Sequence, residues 1–310
     1  MRGHKPITPE SLCAAFNRVT GWQLAPRDVV LAYREWRWVV PLPGQHIAFV
    51  ADTAPARQRL ARERQLLQQL ADRVRFQVPR LEWVDPRGTW HIRRKVPGEP
   101  GLTLTEATHH QRIGEEPAIA QRVGQRIGEI LAELHRAFTL EEARQLAPME
   151  LPLATPLERL RVSLAIGIDD DALKAQVAQI FARFDALELE EGEVVLVHGD
   201  LGSHNVAFEA ETSEVLGVYD FDAVACVDRH WDFKYLHSYP APFRQAVLEA
   251  YQGCTGIAPD VQRILLYHAL TALSYLAWRV EDPDAHDRLS GRDQAGADRW
   301  VRQAVAQAQA

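Results

Sequence analysis

Two neighbouring strings decide the reading of this chain: VVLVHGDLGSHNVAF at 194–208 and VLGVYDFDAVACVDRHWDF at 215–233. Each opens as an apolar run of strand type and ends in a group that can do chemistry. His198-Gly199-Asp200 follows the first run, and Asn205 lies five residues beyond Asp200. Asp220 comes fifteen residues after Asn205, at the end of the run Val215–Tyr219. A carboxylate, a carboxamide and a second carboxylate at paired strand ends can converge on one point. One aspartate then accepts a proton from an attacking hydroxyl, while the asparagine and the other aspartate hold Mg²⁺ through oxygen.

Outward from this β island the chain changes character. Thr8, Pro9 and Glu10 read as an N-cap and first turn of a helix that stops near Gly21. The runs Asp28–Tyr33, Trp36–Leu42 and His46–Ala51 read as antiparallel strands, with Pro43-Gly44 as the turn between the last two. Ala56–Ala71 has Leu60, Leu67 and Leu70 at helical spacing among charges. Strands at Arg80–Val84 and Thr89–Lys95 follow, and the cluster Pro97-Gly98-Glu99-Pro100-Gly101 breaks the pattern. Beyond it, helices are expected at Ala118–Phe138, Ala172–Leu187, Pro242–Tyr251 and Asp260–Val280, with a fraying helix over Val301–Ala310. The expectation is an α+β, bilobal fold: a β-rich N-terminal lobe (1–96) with one main helix, and a larger, mostly helical C-terminal lobe (97–310).

The order H-x-D-L-x-x-x-N followed by D-F matches kinase catalytic-loop and metal-binding signatures in spacing as well as residue type. HGDLGSHN (198–205), VYDFD (218–222) and Trp231-Asp232 together resemble the aminoglycoside phosphotransferase/choline kinase-like family of small-molecule kinases. Gly199, where protein kinases usually have arginine, favours that branch. The resemblance covers most of the chain, since RLARERQLL looks like the family's helix glutamate segment and VPRLEWVDPRGTWHIRRKVPGEP like its last N-lobe strands and hinge. It implies a protein kinase-like fold and transfer of the γ-phosphoryl of ATP or GTP, with Mg²⁺, to a hydroxyl of a small molecule. Carried over by position, Asp200 would be the catalytic base and Asn205 and Asp220 the metal ligands, with His198 and Asp232 bracing the loop. Glu63 would organise the nucleotide side, and the hinge at Arg94, Lys95 and Val96 would meet the purine.

The chain departs from the family in one place. A lysine is expected on the third strand, paired with Glu63, but thirteen or so residues back stand Phe49, Val50 and Ala51, and no lysine occurs between Lys5 and Lys95. The preceding AYREWRWVVPLPG also lacks the glycines of a phosphate-covering loop. Arg34 or Arg37 is the expected substitute, since arginine binds phosphate in bidentate fashion, with Glu63 paired to it or to an arginine of the Arg57–Arg64 helix. The alternative is a non-catalytic, kinase-like ligand-binding protein.

Several residues carry plainer expectations. Asp222 and Asp228 read as turn and N-cap carboxylates, His204 as a loop surface residue, and His109-His110 as solvated helix-end histidines. An acidic rim of Asp228, Glu281, Asp282 and Asp284 would suit a cationic acceptor such as an aminoglycoside or choline. The plainer reading of Glu281–Asp287 is a helix-ending loop. Tyr267, Tyr275 and Trp278 would line an apolar pocket for a macrolide-like acceptor, or belong to the core. GDLGSHN is also superficially similar to strings of binuclear phosphohydrolases, but the further His and Asp blocks such a site needs are not found. With 42 acidic and 35 basic residues, the net charge of −7 argues against a nucleic-acid coat. Three scattered cysteines without a CxxC pair fit a reducing cytoplasm, and MRGHKPITPESL lacks the apolar core of a signal peptide. Ile264–Val280 carries polar groups and is too short to span a bilayer, so no membrane role is expected.

Overall fold

The computed structural model describes residues 7–34, 36–103, 106–284 and 293–309. Its contacts divide the chain into two units, Met1–Gly98 with Leu216–Tyr219, and Glu99–Val215 with Asp220–Ala310.

The N-terminal unit is built on a five-stranded antiparallel sheet in the order β1-β2-β3-β5-β4. The strands are β1 (Ala32–Arg34), β2 (Arg37–Leu42), β3 (His46–Val50), β4 (Arg80–Val84) and β5 (Trp90–Arg94). Helix α1 (Pro9–Thr20) starts at the Thr8 cap and stops at Gly21, whose φ of 73° needs no Cβ. Strand alternation gives the sheet two different faces. Ala48, Val50, Trp90 and Ile92 pack with Leu12 and Phe16 of α1. Phe49 and Ala51 pack with Ala56 and Leu60 of α2 (Ala54–Leu70). The first strand is shorter than expected. Pro26–Asp28 instead forms a 3₁₀ turn, closed by the Ala25 N–H donating to Asp28 Oδ2 at 2.7 Å.

Leu216–Tyr219 joins this unit through Gln77. Its N–H donates to the Leu216 carbonyl at 3.4 Å, and its carbonyl accepts from the Val218 N–H at 3.0 Å.

In the second unit, β6 (Glu99–Pro100) pairs with β8 (Val206–Phe208), and β7 (Val194–Val197) with β10 (Ala225–Asp228), both antiparallel. β9 (Val215–Val218) leads into Asp220. The helices are α3 (Thr108–Glu115), α4 (Pro117–His135), α5 (Leu140–Leu146), α6 (Leu157–Gly167), α7 (Asp171–Asp185), α8 (Ala241–Thr255), α9 (Val261–Glu281) and α10 (Gln294–Gln309). Gly124 and Gly128 on α4 let α8 approach closely, because a Cβ at either would press on the Phe243 or Val247 carbonyl. α9 is buried along most of its length within a core shared by α6, α7, α10, β7 and β10.

The tail is not a fraying helix. Ala297, Val301, Ala304, Val305 and Ala308 form a small-residue stripe that is buried in this same core. No described helix is long and apolar enough to cross a membrane.

Candidate active site

The loop after β7 reverses at Gly199, whose φ is 85° and where a Cβ would overlap the Ala223 carbonyl oxygen. Only glycine fits. Asp232, 4% exposed, clamps this turn. Its Oδ2 accepts the His198 N–H and its Oδ1 the Gly199 N–H, each at 2.8 Å. His135 at the end of α4 completes the clamp, with Nε2 3.1 Å from Asp232 Oδ2 and Nδ1 3.0 Å from the Tyr251 hydroxyl. The Gly199 carbonyl accepts from Trp231 Nε1 at 3.0 Å and from Lys234 Nζ. Burial would raise the Asp232 carboxyl, but the hydrogen bond and charge of His135 outweigh it and hold the group low. Gly199→Ala combines positive-φ strain with steric overlap, so a loss of roughly 2–5 kcal/mol is expected in urea unfolding.

Asp200 emerges from this turn about one-third exposed (34%) and is met by donors on both oxygens. Oδ1 accepts the Tyr235 hydroxyl at 2.6 Å. Oδ2 accepts from His204 Nε2 and Asn205 Nδ2, both at 3.1 Å. Burial alone would raise the carboxyl. The hydrogen bond and charge of His204, the charge of Lys234 and the Tyr235 hydroxyl reverse that and hold it well below the usual carboxylate range. Lys234 is itself fully buried, its ammonium 4.7 Å from the Trp231 ring centroid and 4.5 Å from that of Tyr235. Burial lowers its pKa, against the pull of Asp200 and Asp232.

Asn205 is the last residue of a 3₁₀ turn, Ser203–Asn205. Its amide nitrogen is committed to the Asp200 carbonyl at 2.9 Å and to Oδ2, which turns its oxygen into the atom offered to a cation. Asp220 sits in the left-handed region (φ 64°, ψ 63°), a conformation costly for a residue with a Cβ. Two hard oxygen donors fit Mg²⁺, which is held by one or two protein ligands and substrate phosphates rather than by a protein cage. Among the described residues, no three His, Cys, Asp or Glu side chains form a cluster able to hold a metal.

In the N-terminal unit, Glu63 of α2 is buried and binds two arginines. Arg37 Nη1 of β2 lies 3.2 Å from Oε2, and Arg93 Nη1 of β5 lies 2.6 Å from Oε1. Of the two arginines offered by the sequence, Arg37 is the one found here. Arg93 was missed, as was the fact that both guanidiniums lie over Phe49, at 4.3 and 4.0 Å from its ring centroid. Phe49, one residue before the Val50 that the count from Glu63 gives, is thus an aromatic platform for cations supplied by the flanking strands. Burial pushes the Glu63 carboxyl up, but Arg93 and Arg37 bring it down to about 2. In the hinge, Arg94 is exposed and paired with Glu82 at 2.7 Å, the Lys95 N–H donates to the Gln45 carbonyl at 2.8 Å, and Val96 is buried.

His91 shares this face of the sheet and is fully buried, with no partner for either ring nitrogen among the described residues. Burial drops its pKa to about 3. A histidine depressed from about 6.5 in the unfolded chain costs stability as pH falls below 6.5, on the order of 1 kcal/mol per pH unit. Glu63 adds its own loss only below the unfolded carboxyl value of about 4.5. His91→Leu should therefore flatten the dependence of the urea midpoint between pH 6.5 and pH 5, where wild type declines.

Two of the four residues of the alternative acidic rim, Asp228 and Glu281, are already paired within the protein. Asp228 is buried and bound by the His230 ring at 2.6 Å, the Tyr267 hydroxyl at 2.9 Å and Arg263 at 3.3 Å. It also accepts the His230 N–H at 3.0 Å, which is the N-cap role. Glu281 pairs with Arg159 and accepts from Ser163 at 2.7 Å. The end of the Glu281–Asp287 stretch lies outside the described residues.

Three histidines also differ from expectation. His109 is buried, stacked on Phe208 at 4.9 Å and bonded to Ser213 at 2.8 Å. His110 meets the Ser203 hydroxyl at 3.0 Å, and His204 touches Asp200 rather than solvent alone. Their partners are distant in sequence or set by the loop's turn, so spacing did not reveal them.

Tyr267 belongs to the core, whereas Tyr275 and Trp278 are only partly buried. The Tyr275 ring lies 5.9 Å from that of Trp278 and 5.6 Å from that of Trp300.

A sequence model of the phosphotransferase enzyme family matches residues 37–267. An aminoglycoside 3'-phosphotransferase from Streptomyces fradiae is 30% identical over 165 residues, covering 50% of this chain and 60% of that protein. The match therefore spans less than two thirds of that relative. Among solved structures, the GDP complex of an aminoglycoside 2'-phosphotransferase-IIIa variant aligns with a TM-score of 0.67 at 17% identity, over 97% of this chain and 96% of that one. A macrolide 2'-phosphotransferase from Brachybacterium faecium gives 0.64 at 19%, over 96% and 97%. A choline/ethanolamine kinase family protein from Mesorhizobium loti gives 0.64 at 16%, over 97% and 93%. At these identities the likeness establishes the α+β, kinase-like fold expected from the sequence.

Proposed function

The chain belongs to the phosphotransferase enzyme family, and on that premise we propose that it moves the γ-phosphoryl of ATP or GTP to a hydroxyl of a small molecule. The observation that carries this reading is the Asp200 carboxylate, held on a clamped turn and hydrogen-bonded to Asn205. In the proposal Asp200 orients the acceptor hydroxyl and takes its proton as the new P–O bond forms and the γ-phosphorus bond to the β-phosphate oxygen breaks, releasing ADP or GDP. Its depressed pKa suits a late transfer, since phosphoryl transfer depends more on positioning and charge than on early deprotonation. Asn205 and Asp220 hold Mg²⁺, which when bound neutralises phosphate charge. His198 carries the turn rather than the chemistry, because its backbone is what Asp232 grips.

On the nucleotide side, Glu63 fixes Arg37 and Arg93, and these supply the positive charge that the family's lysine would bring. Val96 is assigned the purine contact through its N–H, because the Lys95 N–H is already used. A purely ligand-binding role drew its support from the missing lysine, and this arginine pair weakens that support.

For the acceptor, the aromatic groups Tyr235, Tyr275, Trp278 and Trp300 favour a molecule with an apolar face over a polycation, because Asp228 and Glu281 are neutralised by their own partners. The test is a transfer assay with Mg–ATP and Mg–GTP against macrolides, aminoglycosides and amino alcohols, read by mass spectrometry. A phosphorylated macrolide in preference to a phosphorylated aminoglycoside supports the reading in full. A phosphorylated aminoglycoside alone keeps the enzyme and overturns the acceptor class. No product from any of them counts against the activity.

A further inference from the structure

Phosphoryl transfer at this site requires the acceptor hydroxyl to donate to one lone pair of Asp200, and the hydrogen bonds restrict which. A carboxylate oxygen offers two acceptor positions. On Oδ2 both are taken, by His204 Nε2 and Asn205 Nδ2 at 3.1 Å each. On Oδ1 one is taken, by the Tyr235 hydroxyl at 2.6 Å. We propose that the acceptor hydroxyl binds the remaining position of Asp200 Oδ1, side by side with the Tyr235 hydroxyl, which makes Tyr235 a positioning residue of the reaction. This rests on the phosphotransferase reading above.

Tyr235 is well placed for that work. It stands three residues after Asp232, the carboxylate that grips the turn carrying Asp200, so both ends of the Tyr235–Asp200 bond are tied to one clamp. The buried Lys234 ammonium lies 4.5 Å from the Tyr235 ring centroid and bonds the Gly199 carbonyl, which fixes the ring from below. The His204 ring meets the tyrosine edge-on at 6.0 Å. The hydroxyl thus sets the plane of the carboxylate, and the carboxylate plane sets where the acceptor oxygen sits relative to the phosphoryl group. A misplaced acceptor slows transfer without weakening nucleotide binding.

Tyr235→Phe removes only the hydroxyl and tests this. With Mg–ATP or Mg–GTP, transfer is measured to erythromycin, kanamycin, choline and water, using whichever of these the wild type accepts. The expected result is a fall in kcat of roughly ten- to a hundredfold, with the nucleotide KM and the thermal midpoint unchanged. The unchanged KM and midpoint show that the variant is folded. A kcat equal to wild type overturns the proposal and leaves the phosphotransferase reading standing. A raised kcat also overturns it, by showing that the tyrosine occupies the acceptor's place. Wild-type protein that transfers to none of the four probes overturns both the proposal and the reading beneath it.

Discussion

Glu63→Ala should cost the N-terminal unit about 3–5 kcal/mol, the range for breaking a buried ion pair by removing one partner. Glu63 is 4% exposed and its carboxylate is shared by Arg37 and Arg93, so its loss leaves two buried guanidiniums beside the Phe49 ring without their counter-charge. The measurement is urea unfolding at pH 7, followed by the fluorescence of Trp38, Trp83 and Trp90 in the same sheet. Replacing Glu63 and Arg93 together by leucine and methionine should recover part of the loss, because apolar side chains of similar volume often replace a buried pair at little cost. A single substitution that leaves the midpoint unchanged would mean the cluster is solvated and has no organising role.

Asp200→Asn should lower turnover by roughly two to four orders of magnitude, the usual contribution of a positioned proton acceptor. Asparagine keeps the size of the side chain but loses the charge that His204, Asn205 and Tyr235 surround. Nucleotide affinity should change only a fewfold, because in the proposed reaction Asp200 orients the acceptor rather than the phosphates. Steady-state kinetics with any accepted substrate, beside calorimetry with the nucleotide, separates the two effects. Near-normal turnover in the variant would remove Asp200 from the chemistry.

The strand ends that carry His198–Asp200 and Asp220 were legible from short apolar runs, and the roles given to Asp200, Asn205 and Asp220 are proposals carried by the resemblance. The main helices and most sheet strands follow from periodicity and apolar runs, and the ends of α1 from the residue types at Thr8–Glu10 and Gly21. What escaped the reading depends on partners far along the chain. Arg93 reaches Glu63 because β5 alternates its side chains, which puts His91 and Arg93 on the α2 face and Trp90 and Ile92 on the other. That alternation is visible in WHIRR (90–94), but the sequence offers cations nearer by as well, at Arg34, Arg37 and along Arg57–Arg64, and nothing local singles out Arg93. His135 is joined to Asp232 across 97 positions and His109 to Ser213 across 104, separations that no local pattern encodes. The tail was read as loose because Ala and Gln dominate it, yet a stripe of small residues is what packing against the long α9 requires.

The proposed activity requires this chain to handle a magnesium nucleotide without the lysine. Calorimetric titration with Mg–ATP and Mg–GTP, in wild type and in Asp220→Ala, tests it most directly. The account predicts that at least one nucleotide binds, that binding weakens when Mg²⁺ is withheld, and that Asp220→Ala weakens it further. No heat from either nucleotide at millimolar concentration, or binding indifferent to both Mg²⁺ and Asp220, would contradict it.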